Sequence, residues 1–411
     1  MTDRATEPLA SSIAMSPERP LFQASEQTRR ENARHPYPVV SLFSGAMGLD
    51  LGLSAAGLRC VVAQDIDRWC IETMRRNGHL AIDGDLRELT ARDPSCRFLT
   101  DPAGVQAADV FAVVGGPPCQ PFSTAGRRLG TTDERGQLYE HFVHVVASLR
   151  PRFFIMENVK GLASMPAGPD EGGPTLLSVI VAEFKALGYR VIHGVLDAVH
   201  YGTPQFRERL VIVGSRDDED IFLPAPSHFP RHQDSALRWR TLGDALRDLD
   251  APGPSASLSP AAKRYLELVP PGGNWKNLPP DIAKVAMGGA YESGGGKVGF
   301  FRRLNFSEPS PTLVTSPNQK ATMLCHPDEL RTLSVREYAR IQQFPDDWVF
   351  EGKPAEAYRQ IGNAVPIPLG RALGQMLKSV ALGTATVRVK RMRGTSVHQA
   401  MFQMAEVGDC D

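Results

Sequence analysis

The sequence lacks paired cysteines, long apolar runs and a secretory signal. Its six cysteines, at positions 60, 70, 96, 119, 325 and 410, never form the Cys-x-x-Cys spacing typical of zinc sites and redox pairs. We therefore expect a reduced protein without a bound metal. No stretch approaches the roughly 20 apolar residues that span a bilayer. The first residues contain no basic segment followed by an apolar one, so a cytoplasmic protein is expected.

An excess of charge of one sign is also missing. Lys and Arg number 46, Asp and Glu number 46, and the formal net charge is zero. A protein that coats nucleic acid without regard to sequence carries a large positive excess, so the balance argues against that class. A net charge of zero is still compatible with a local basic cleft, because binding to nucleic acid depends on how charge is distributed over the surface. The 411 residues allow two domains, or one large domain with an insertion.

The segment from Phe111 to Arg128, FAVVGGPPCQPFSTAGRR, joins an apolar strand pattern to a stiff loop. Phe111–Val114 predicts a short buried strand, and Gly-Gly-Pro-Pro ends it and presents Cys119. Open α/β sheets place their chemistry just past the carboxyl ends of strands. A thiol there, followed by Arg127 and Arg128, is a candidate nucleophile because positive charge favours the thiolate. The alternative is a small buried cysteine with an apolar role.

Three earlier strand ends have features of a ligand site. The strand pattern that begins at Pro38 runs into Ser-Gly-Ala-Met-Gly and then into a helix pattern, which places a glycine-rich turn at a helix N-terminus. Such a turn alone is equally often a packing feature. The next strand is followed by Asp65, where these folds hydrogen-bond a ribose, and by Asp67, which is expected to cap a helix. A third strand ends at Asp85, which either accepts from an exocyclic amine or caps a turn.

Two further strand ends carry charged side chains. The apolar run Arg152–Met156 predicts a strand that ends in Glu157, on the same rim as Cys119, although a lone carboxylate there is more often a helix cap. After another strand comes Gln-Phe-Arg-Glu-Arg, in which Arg207 and Arg209 share a face if the backbone is extended. These two side chains are predicted to point together into a substrate pocket or onto a phosphate. The alternative is an exposed charged loop.

The remaining segments suggest a domain plan. Proline, glycine and polar residues dominate 220–335, which predicts a second, irregular domain. Residues 336–354 predict a hinge, and a helix pattern within 355–385 returns to the first domain, which is therefore discontinuous and otherwise spans 37–219. We expect 1–36 and 386–411 to be flexible extensions, with a short docking helix around Phe22–Arg34 as the alternative for the first.

Taken in order, these motifs resemble those of the DNA (cytosine-5)-methyltransferases. The resemblance covers about Val39 to Leu382. The matching segments are the Pro-Cys loop at Cys119, the first S-adenosylmethionine motif at Phe43–Gly48, Glu157-Asn158-Val159, the eighth motif Gln205–Arg209, the ninth motif Pro309–Leu313 and the tenth motif Tyr358–Pro366. The implied fold is α/β: a Rossmann-like S-adenosylmethionine-dependent methyltransferase domain, with a mixed, mostly parallel sheet and flanking helices, plus a smaller irregular target-recognition domain.

The resemblance implies a role for each matching residue. The resemblance assigns catalysis to Cys119, Glu157, Arg207 and Arg209. S-adenosylmethionine contacts are expected from Phe43, Ser44, Gly45, Met47, Gly48, Asp65, Ile66, Asp85, Leu86, Pro117, Asn363, Ala364 and Val365. DNA contacts are expected from Pro118, Gln120, Ser123, Asn158, Gln205, Arg302, Arg303, Thr312 and Leu313, with Lys276 and Lys297 as further candidates. The family's ribose-binding acid is usually glutamate, which is one methylene longer than Asp65.

The implied reaction is methyl transfer from S-adenosylmethionine to C5 of a cytosine flipped out of double-stranded DNA. C5 is a poor nucleophile until a thiolate adds to C6, so Cys119 would form a covalent adduct. Glu157 would stabilise the charge that develops in the ring, at N3 and the exocyclic N4. The sequence does not identify the base that removes the C5 proton.

The compact layout resembles a monomeric bacterial type II modification methylase, associated with the nucleoid through DNA and matched to a restriction endonuclease with the same target site. A transfer-RNA cytosine-5 methyltransferase on the same scaffold is one alternative, which the long insert with its basic residues disfavours. A catalytically silent DNA-binding protein is another. The set of Cys119, Glu157, Arg207 and Arg209 argues against it, because a silent protein does not need these residues together.

Overall fold

The computed structural model describes residues 24–118, 138–168, 172–230, 234–292 and 298–384. Seven strands form one sheet in the order β3-β2-β1-β4-β5-β7-β6. Strands β1 to β5 pair in parallel, and β7 runs antiparallel to both β5 and β6. The strands are β1 Pro38–Leu42, β2 Arg59–Asp65, β3 Ala81–Asp83, β4 Ala112–Gly115, β5 Phe153–Val159, β6 Arg190–Asp197 and β7 Glu208–Ser215.

The strands form where the sequence has short apolar, β-branched runs, because a sheet covered on both faces buries both sides of each strand. Every residue of β1 is buried. Successive side chains point to opposite faces, so Val39 packs in one core and Val40 in the other. From β1, the sheet continues through β2 to β3 on one side, and from β4 it continues through β5, β7 and β6 on the other. The carboxyl ends of β1 and β4 therefore flank the crevice where such sheets bind ligands.

Helices cover both faces of the sheet, so the predicted mixed, mostly parallel α/β architecture is confirmed. The helices are α1 Glu26–Arg34, α2 Gly48–Ala55, α3 Arg68–Arg76, α4 Leu86–Arg92, α5 Arg97–Ala103, α6 Leu138–Leu149, α7 Leu176–Ala186, α8 Leu242–Leu246, α9 Pro260–Leu266, α10 Pro280–Met287, α11 Val335–Ile341, α12 Pro354–Asn363 and α13 Ile367–Ala381. Within the described ranges, no helix is both long and apolar enough to cross a membrane.

Helix α13, near the end of the chain, packs directly on α2, which follows the glycine-rich turn. Glycines allow the close approach: a Cβ on Gly52 would lie 2.4 Å from the carbonyl oxygen of Ile367. A Cβ on Gly48 would lie 2.2 Å from the carbonyl oxygen of Val365. The tenth motif is therefore held against the first.

The segment after β7 is irregular. Between β7 and α11, the described residues contain three α-helices of five to eight residues and no strand of the main sheet. They have a small core of their own, with Leu266, Val269, Phe301 and Cys325 among its buried members. A separate apolar cluster contains residues of both parts, including Met47 beside the first motif and Leu313 of the ninth. This cluster joins the irregular part to the sheet.

The prediction of a loosely attached N-terminal extension is wrong for residues 24–36, because the structure has helix α1 there. Ser25 caps it by accepting from the backbone N–H of Thr28 at 3.1 Å. Asn32 is buried and donates its Nδ2 to the carbonyl oxygen of Ala103 at 2.9 Å. The helix is attached through a polar contact, and hydrophobic periodicity does not reveal contacts of that kind.

Candidate active site

The first motif is a tight turn between β1 and α2. Phe43, Gly45 and Met47 all have left-handed backbone, with φ of 52°, 55° and 67°. The N–H of Ser44 donates to the carbonyl oxygen of Gln64 at 3.0 Å. Three left-handed residues among six turn the chain sharply between β1 and α2.

Asp65, at the end of β2, holds this turn. Its Oδ2 accepts from the N–H of Gly45 at 2.8 Å, and its Oδ1 accepts from the N–H of Asp67 at 2.8 Å. Burial raises the pKa of the Asp65 carboxyl, and these two N–H donors oppose the rise. Ile66, the next residue, is 63% exposed. The structure thus joins the first motif to the predicted ribose-binding acid and leaves an apolar side chain open beside it.

Two other acids on this rim are helix caps. Asp67 caps α3, as the sequence predicts, by accepting from the N–H of Trp69 at 2.9 Å. Asp85 caps α4 and forms an ion pair with Arg87 at 2.6 Å, and this arginine lowers the pKa of the carboxyl. Leu86, the first residue of α4, is buried. A contact between Asp85 and a cofactor stays a prediction.

The tenth motif reaches the same edge. Asn363, the last residue of α12, is exposed, whereas Ala364 and Val365 are buried. The carbonyl oxygen of Val365 faces Gly48, as described above. The structure therefore brings the two ends of the predicted cofactor site together, although they are more than 300 residues apart in sequence.

Glu157 and Arg209 form the charged centre of the site. Glu157 is 8% exposed, and its Oε1 accepts from Nε of Arg209 at 2.7 Å. Burial raises the pKa of the Glu157 carboxyl, and the positive charges of Arg209 and Arg207 oppose the rise. The two residues pair because β5 and β7 run antiparallel side by side and place both side chains at the same edge.

The start of the predicted nucleophile loop is attached to this pair. Nδ2 of Asn158 donates to the carbonyl oxygen of Pro117 at 2.8 Å. A Cβ on Gly116 would lie 2.7 Å from Oε2 of Glu157, so only glycine leaves room for the carboxylate. The described segment ends at the exposed Pro118, one residue before Cys119. Cys119, Gln120, Ser123 and Lys297 lie outside the described residues.

Arg207 and Arg209 do not point into one pocket. Arg207 is 1% exposed, and its guanidinium donates to the carbonyl oxygens of Leu313 at 3.1 Å and Gly362 at 2.7 Å. Burial is the main reason that the pKa of Arg207 falls to about 9. The prediction of a phosphate or base contact is wrong for Arg207. Its side chain instead ties the eighth motif to the ninth and tenth motifs.

Gln205 and Leu313 are buried too, so the prediction of direct DNA contact is wrong for both. Oε1 of Gln205 accepts from the N–H of Leu313 at 2.9 Å, and its Nε2 donates to Oε1 of Gln342 at 3.0 Å. Gln342 continues the network to the carbonyl oxygen of Ile361 at 2.9 Å. The sequence does not reveal the role of Gln342, because nothing in its helix pattern marks a buried polar contact. Thr312 is exposed and donates to the carbonyl oxygen of Phe206 at 2.7 Å.

The sequence predicts DNA contacts for three basic residues of the irregular part that lie within the described ranges. Arg303 donates to the carbonyl oxygens of Pro327, Val269 and Asp328 at 2.7, 3.1 and 3.2 Å, so its guanidinium is held by backbone, and a DNA contact stays a prediction. Arg302 is largely buried, and burial lowers its pKa. Lys276 is exposed and lies over the ring of Trp275. Lys276 therefore remains the accessible cation of these three.

Comparison with known proteins identifies the family. Residues 37–379 match the family model of the C-5 cytosine-specific DNA methylases. The chain is 40% identical to the type II methyltransferase M.PspPI of Psychrobacter over 352 residues, which cover 83% of this chain and 79% of that protein. It is 41% identical to M.Sau96I of Staphylococcus aureus over 346 residues, covering 83% and 75%, and 40% identical to M.Eco47II of Escherichia coli over 366 residues, covering 86% and 82%.

Solved structures share the fold. A prophage-encoded DNA modification methyltransferase from E. coli matches with a TM-score of 0.60 and 24% identity, over 84% of this chain and 99% of the other. A DNMT2 variant from Spodoptera frugiperda matches with a TM-score of 0.52 and 17% identity, over 83% and 99%. With the matched family model and relatives of 40% identity, these findings show that the chain belongs to the C-5 cytosine-specific DNA methylases and is a DNA (cytosine-5)-methyltransferase.

Proposed function

We propose that this protein is a type II modification enzyme that methylates C5 of a flipped-out cytosine within a short duplex sequence, with S-adenosylmethionine as methyl donor. The observation that carries the proposal is the buried Glu157–Arg209 pair, placed beside the loop that leads to Cys119. The similarity to several enzymes named type II methyltransferases supports the modification role.

The residues on the cofactor side suit S-adenosylmethionine. The turn at Phe43–Gly48 is open at Gly45, where an added Cβ would meet nothing within 4 Å. Asp65 offers carboxylate oxygens for a ribose diol, and the exposed Ile66 offers an apolar surface for an adenine ring. Asp85, Asn363 and the backbone of the turn complete the set we assign. When bound, S-adenosylmethionine supplies an electrophilic methyl group carried on a sulfonium.

Glu157 is the residue that we expect to act on the cytosine. Arg209 engages Oε1 and fixes the direction of the carboxyl group, and we assign Oε2 to N3 and N4 of the base. Because burial raises the pKa of Glu157, the group holds a proton more readily than an exposed glutamate does. A proton held at N3 stabilises the electrons that enter the ring when a nucleophile adds to C6.

Cys119 is the nucleophile in this proposal. Its thiolate adds to C6, which makes C5 enamine-like and able to accept a methyl group. Loss of the C5 proton and β-elimination of the thiolate then restore the aromatic ring and free the enzyme. Asn158 supports the step indirectly, because it fixes the backbone at Pro117, two residues before Cys119. Such positioning lowers the barrier by holding the reacting groups close together.

Bisulfite sequencing tests the activity directly. The chain is expressed in a bacterial host that has no cytosine methylase, beside a Cys119→Ser variant. Protected cytosines in one short motif, absent with the variant, would establish the reaction and reveal the recognition sequence. Protection that persists with Cys119→Ser would contradict the nucleophile assignment. Soluble protein without protected DNA would point to another nucleic acid, and labelled S-adenosylmethionine with total RNA would then test the transfer-RNA alternative.

We assign target choice to the irregular part, residues 220–335. The exposed Lys276 lies there, and Thr312, also exposed, is bonded to the backbone of the catalytic eighth motif. Exchanging this segment for the same segment of another family member should change the methylated motif, and an unchanged motif would place recognition elsewhere. We expect a monomer that acts on duplex DNA, with a restriction endonuclease of the same specificity as its counterpart.

A further inference from the structure

The side-chain amide of Gln342 holds the C-terminal end of α12. The last carbonyl groups of a helix have no partner within the helix, so other groups must satisfy them. Nε2 of Gln342 donates to the carbonyl oxygen of Ile361 at 2.9 Å and to that of Ala364 at 3.2 Å. Asn363, which we assign to the cofactor, lies between these two residues. One amide group therefore fixes the backbone before and after it.

The surroundings of Asn363 leave its side chain as the exposed one. Asn363 is exposed, whereas the residues on either side of it are buried. The carbonyl oxygen of Gly362 accepts from Nη2 of Arg207 at 2.7 Å. Further along, an added Cβ on Gly48 would lie 2.2 Å from the carbonyl oxygen of Val365. The backbone is thus held between buried polar side chains and the first motif, and the Asn363 side chain lies at the predicted cofactor site.

Gln205 and Gln342 form a chain of hydrogen bonds whose direction is fixed at both ends. The backbone N–H of Leu313 can only donate, and it donates to Oε1 of Gln205 at 2.9 Å. Nε2 of Gln205 then donates to Oε1 of Gln342 at 3.0 Å. The carbonyl oxygens at the other end can only accept, so Nε2 of Gln342 must face them. Turning over either amide would set donor against donor and acceptor against acceptor.

The burial of these two amides indicates a task beyond filling space. Gln205 and Gln342 are both 0% exposed. Burying a polar side chain costs free energy that its hydrogen bonds must offset, so a pair of apolar residues would fill the same volume more simply. An apolar pair could not hold backbone carbonyls in one direction. Direction is therefore the property that the two glutamines add, and they supply it to the end of α12.

We propose that Gln342, oriented by Gln205, is a positioning residue for the cofactor: it fixes the backbone that flanks Asn363 and so directs the Asn363 amide toward S-adenosylmethionine. This inference rests on the proposed function, because that function supplies the ligand and assigns Asn363 to it. An amide offers two N–H donors and a carbonyl acceptor, and the carboxylate, ammonium and hydroxyl groups of the cofactor are suitable partners. The eighth-motif residue Gln205 thus acts on cofactor affinity.

Titration calorimetry with S-adenosylmethionine and with its demethylated product tests the proposal. The proteins are the full-length wild type, Gln342→Met, Gln205→Met and the double variant. Methionine is unbranched like glutamine and adapts to a buried site, but it has no donor. We expect Gln342→Met to raise Kd about tenfold for both ligands, as loss of one oriented hydrogen bond would. The Kd for unmethylated genomic DNA, measured without cofactor, should change less than twofold.

The second single variant tests the chain itself. Gln205→Met leaves Gln342 in the protein and removes the group that orients it, so it should raise the cofactor Kd by a similar factor. It also carries the test if Gln342→Met does not fold. The double variant should bind the cofactor no more weakly than the weaker single variant, because both changes break the same chain.

Asn32→Leu is the matched control for a general loss of stability. Asn32 is also a buried amide, at 2% exposure, and it also donates to the last carbonyl group of a helix, that of Ala103 in α5, at 2.9 Å. That helix is not part of the candidate site. Asn32→Leu should therefore lower Tm and leave the cofactor Kd unchanged. An equal rise of Kd in this control would overturn the inference, because loss of stability alone would then explain it.

The outcomes distinguish this inference from the proposed function. A wild-type protein that binds neither S-adenosylmethionine nor its product would contradict the proposed function and this inference together. A wild-type protein that binds them, with Kd changed less than twofold in Gln342→Met and Gln205→Met, would overturn the inference alone. Fully additive effects of the two changes would overturn it as well. Weaker DNA binding with unchanged cofactor binding would assign the pair to the DNA side and overturn the inference.

Discussion

Substituting Gly116 by alanine should slow methyl transfer without weakening the fold. Gly116 follows β4 and does not have left-handed backbone, so alanine can adopt its conformation without strain. The conflict is with one side chain: the added Cβ would lie 2.7 Å from Oε2 of Glu157. Oε1 of the same carboxyl is held by Arg209 at 2.7 Å, so the group cannot swing aside without losing its ion pair.

The size of the effect follows from the displacement that alanine requires. Ordinary contacts between a carbon and an oxygen atom are longer by roughly half an ångström or more, so either the carboxyl or the loop before Cys119 must move by that amount. A misplacement of about 1 Å in an active site costs about 100-fold in rate. We therefore expect kcat to fall about 10-fold to 100-fold, which is about 1.4 to 2.7 kcal/mol in activation free energy.

Transfer of a tritiated methyl group to unmethylated genomic DNA measures the rate under single-turnover conditions. Gly161→Ala is the matched control, because a Cβ at Gly161 would meet nothing within 4 Å and its backbone is not left-handed. Both variants should keep the wild-type Tm and Kd for S-adenosylmethionine. A Gly116→Ala rate within twofold of wild type would refute the view that Glu157 and the loop need this close contact.

Three further predictions follow from individual side chains. Glu157→Gln should lower kcat about 10²-fold to 10⁴-fold, the range of acid–base contributions, and a loss below tenfold in the same assay would indicate a capping role. Because the pKa of Asp50 is raised to about 6 in the folded protein, folding takes up a proton between the two pKa values, so the free energy of unfolding falls as pH rises from about 4 to 6. In urea titrations, the free energy of unfolding of the wild type should fall relative to that of Asp50→Asn by up to about 3 kcal/mol over this pH range, because all other titrating groups are common to both proteins; equal pH slopes would contradict the assignment. Arg303→Ala should lower Tm and leave the salt dependence of DNA binding unchanged, because the side chain is bonded to backbone. Lys276→Ala should reduce the salt dependence and leave Tm unchanged, because this lysine is exposed. The reverse pattern would indicate that Arg303 contacts DNA.

The sequence was sufficient for those features that depend on neighbouring residues. Short apolar runs mark the strands, because a strand covered on both faces buries every side chain. The helix cap at Asp67 follows from the preference of a carboxylate for free N–H groups at a helix start. The order of strand ends then places Glu157 and the first motif on one edge of the sheet. The family resemblance rested on these same local segments.

The tertiary structure was needed for side chains whose partners lie far along the chain. The guanidinium of Arg207 donates to backbone 106 and 155 residues away, and the amide of Gln205 contacts Gln342 across 137 residues. An alternating pattern shows only that Arg207 and Arg209 share a face. It cannot show that the ninth and tenth motifs cover one end of β7. They bury Arg207 there, whereas Arg209 forms an ion pair with Glu157.

The amino-acid sequence by itself determined the strands and the turns and pointed to the candidate reactive groups, because propensity, capping and motif spacing act over a few residues. Only the tertiary structure decided which charged side chains pair within the candidate site and which bond to backbone and hold the protein together. That decision depends on burial, since a guanidinium removed from water must find carbonyl partners wherever the fold supplies them. Arg303 and Arg209 look alike in the sequence, yet three backbone carbonyls occupy the first and the buried Glu157 carboxylate engages the second.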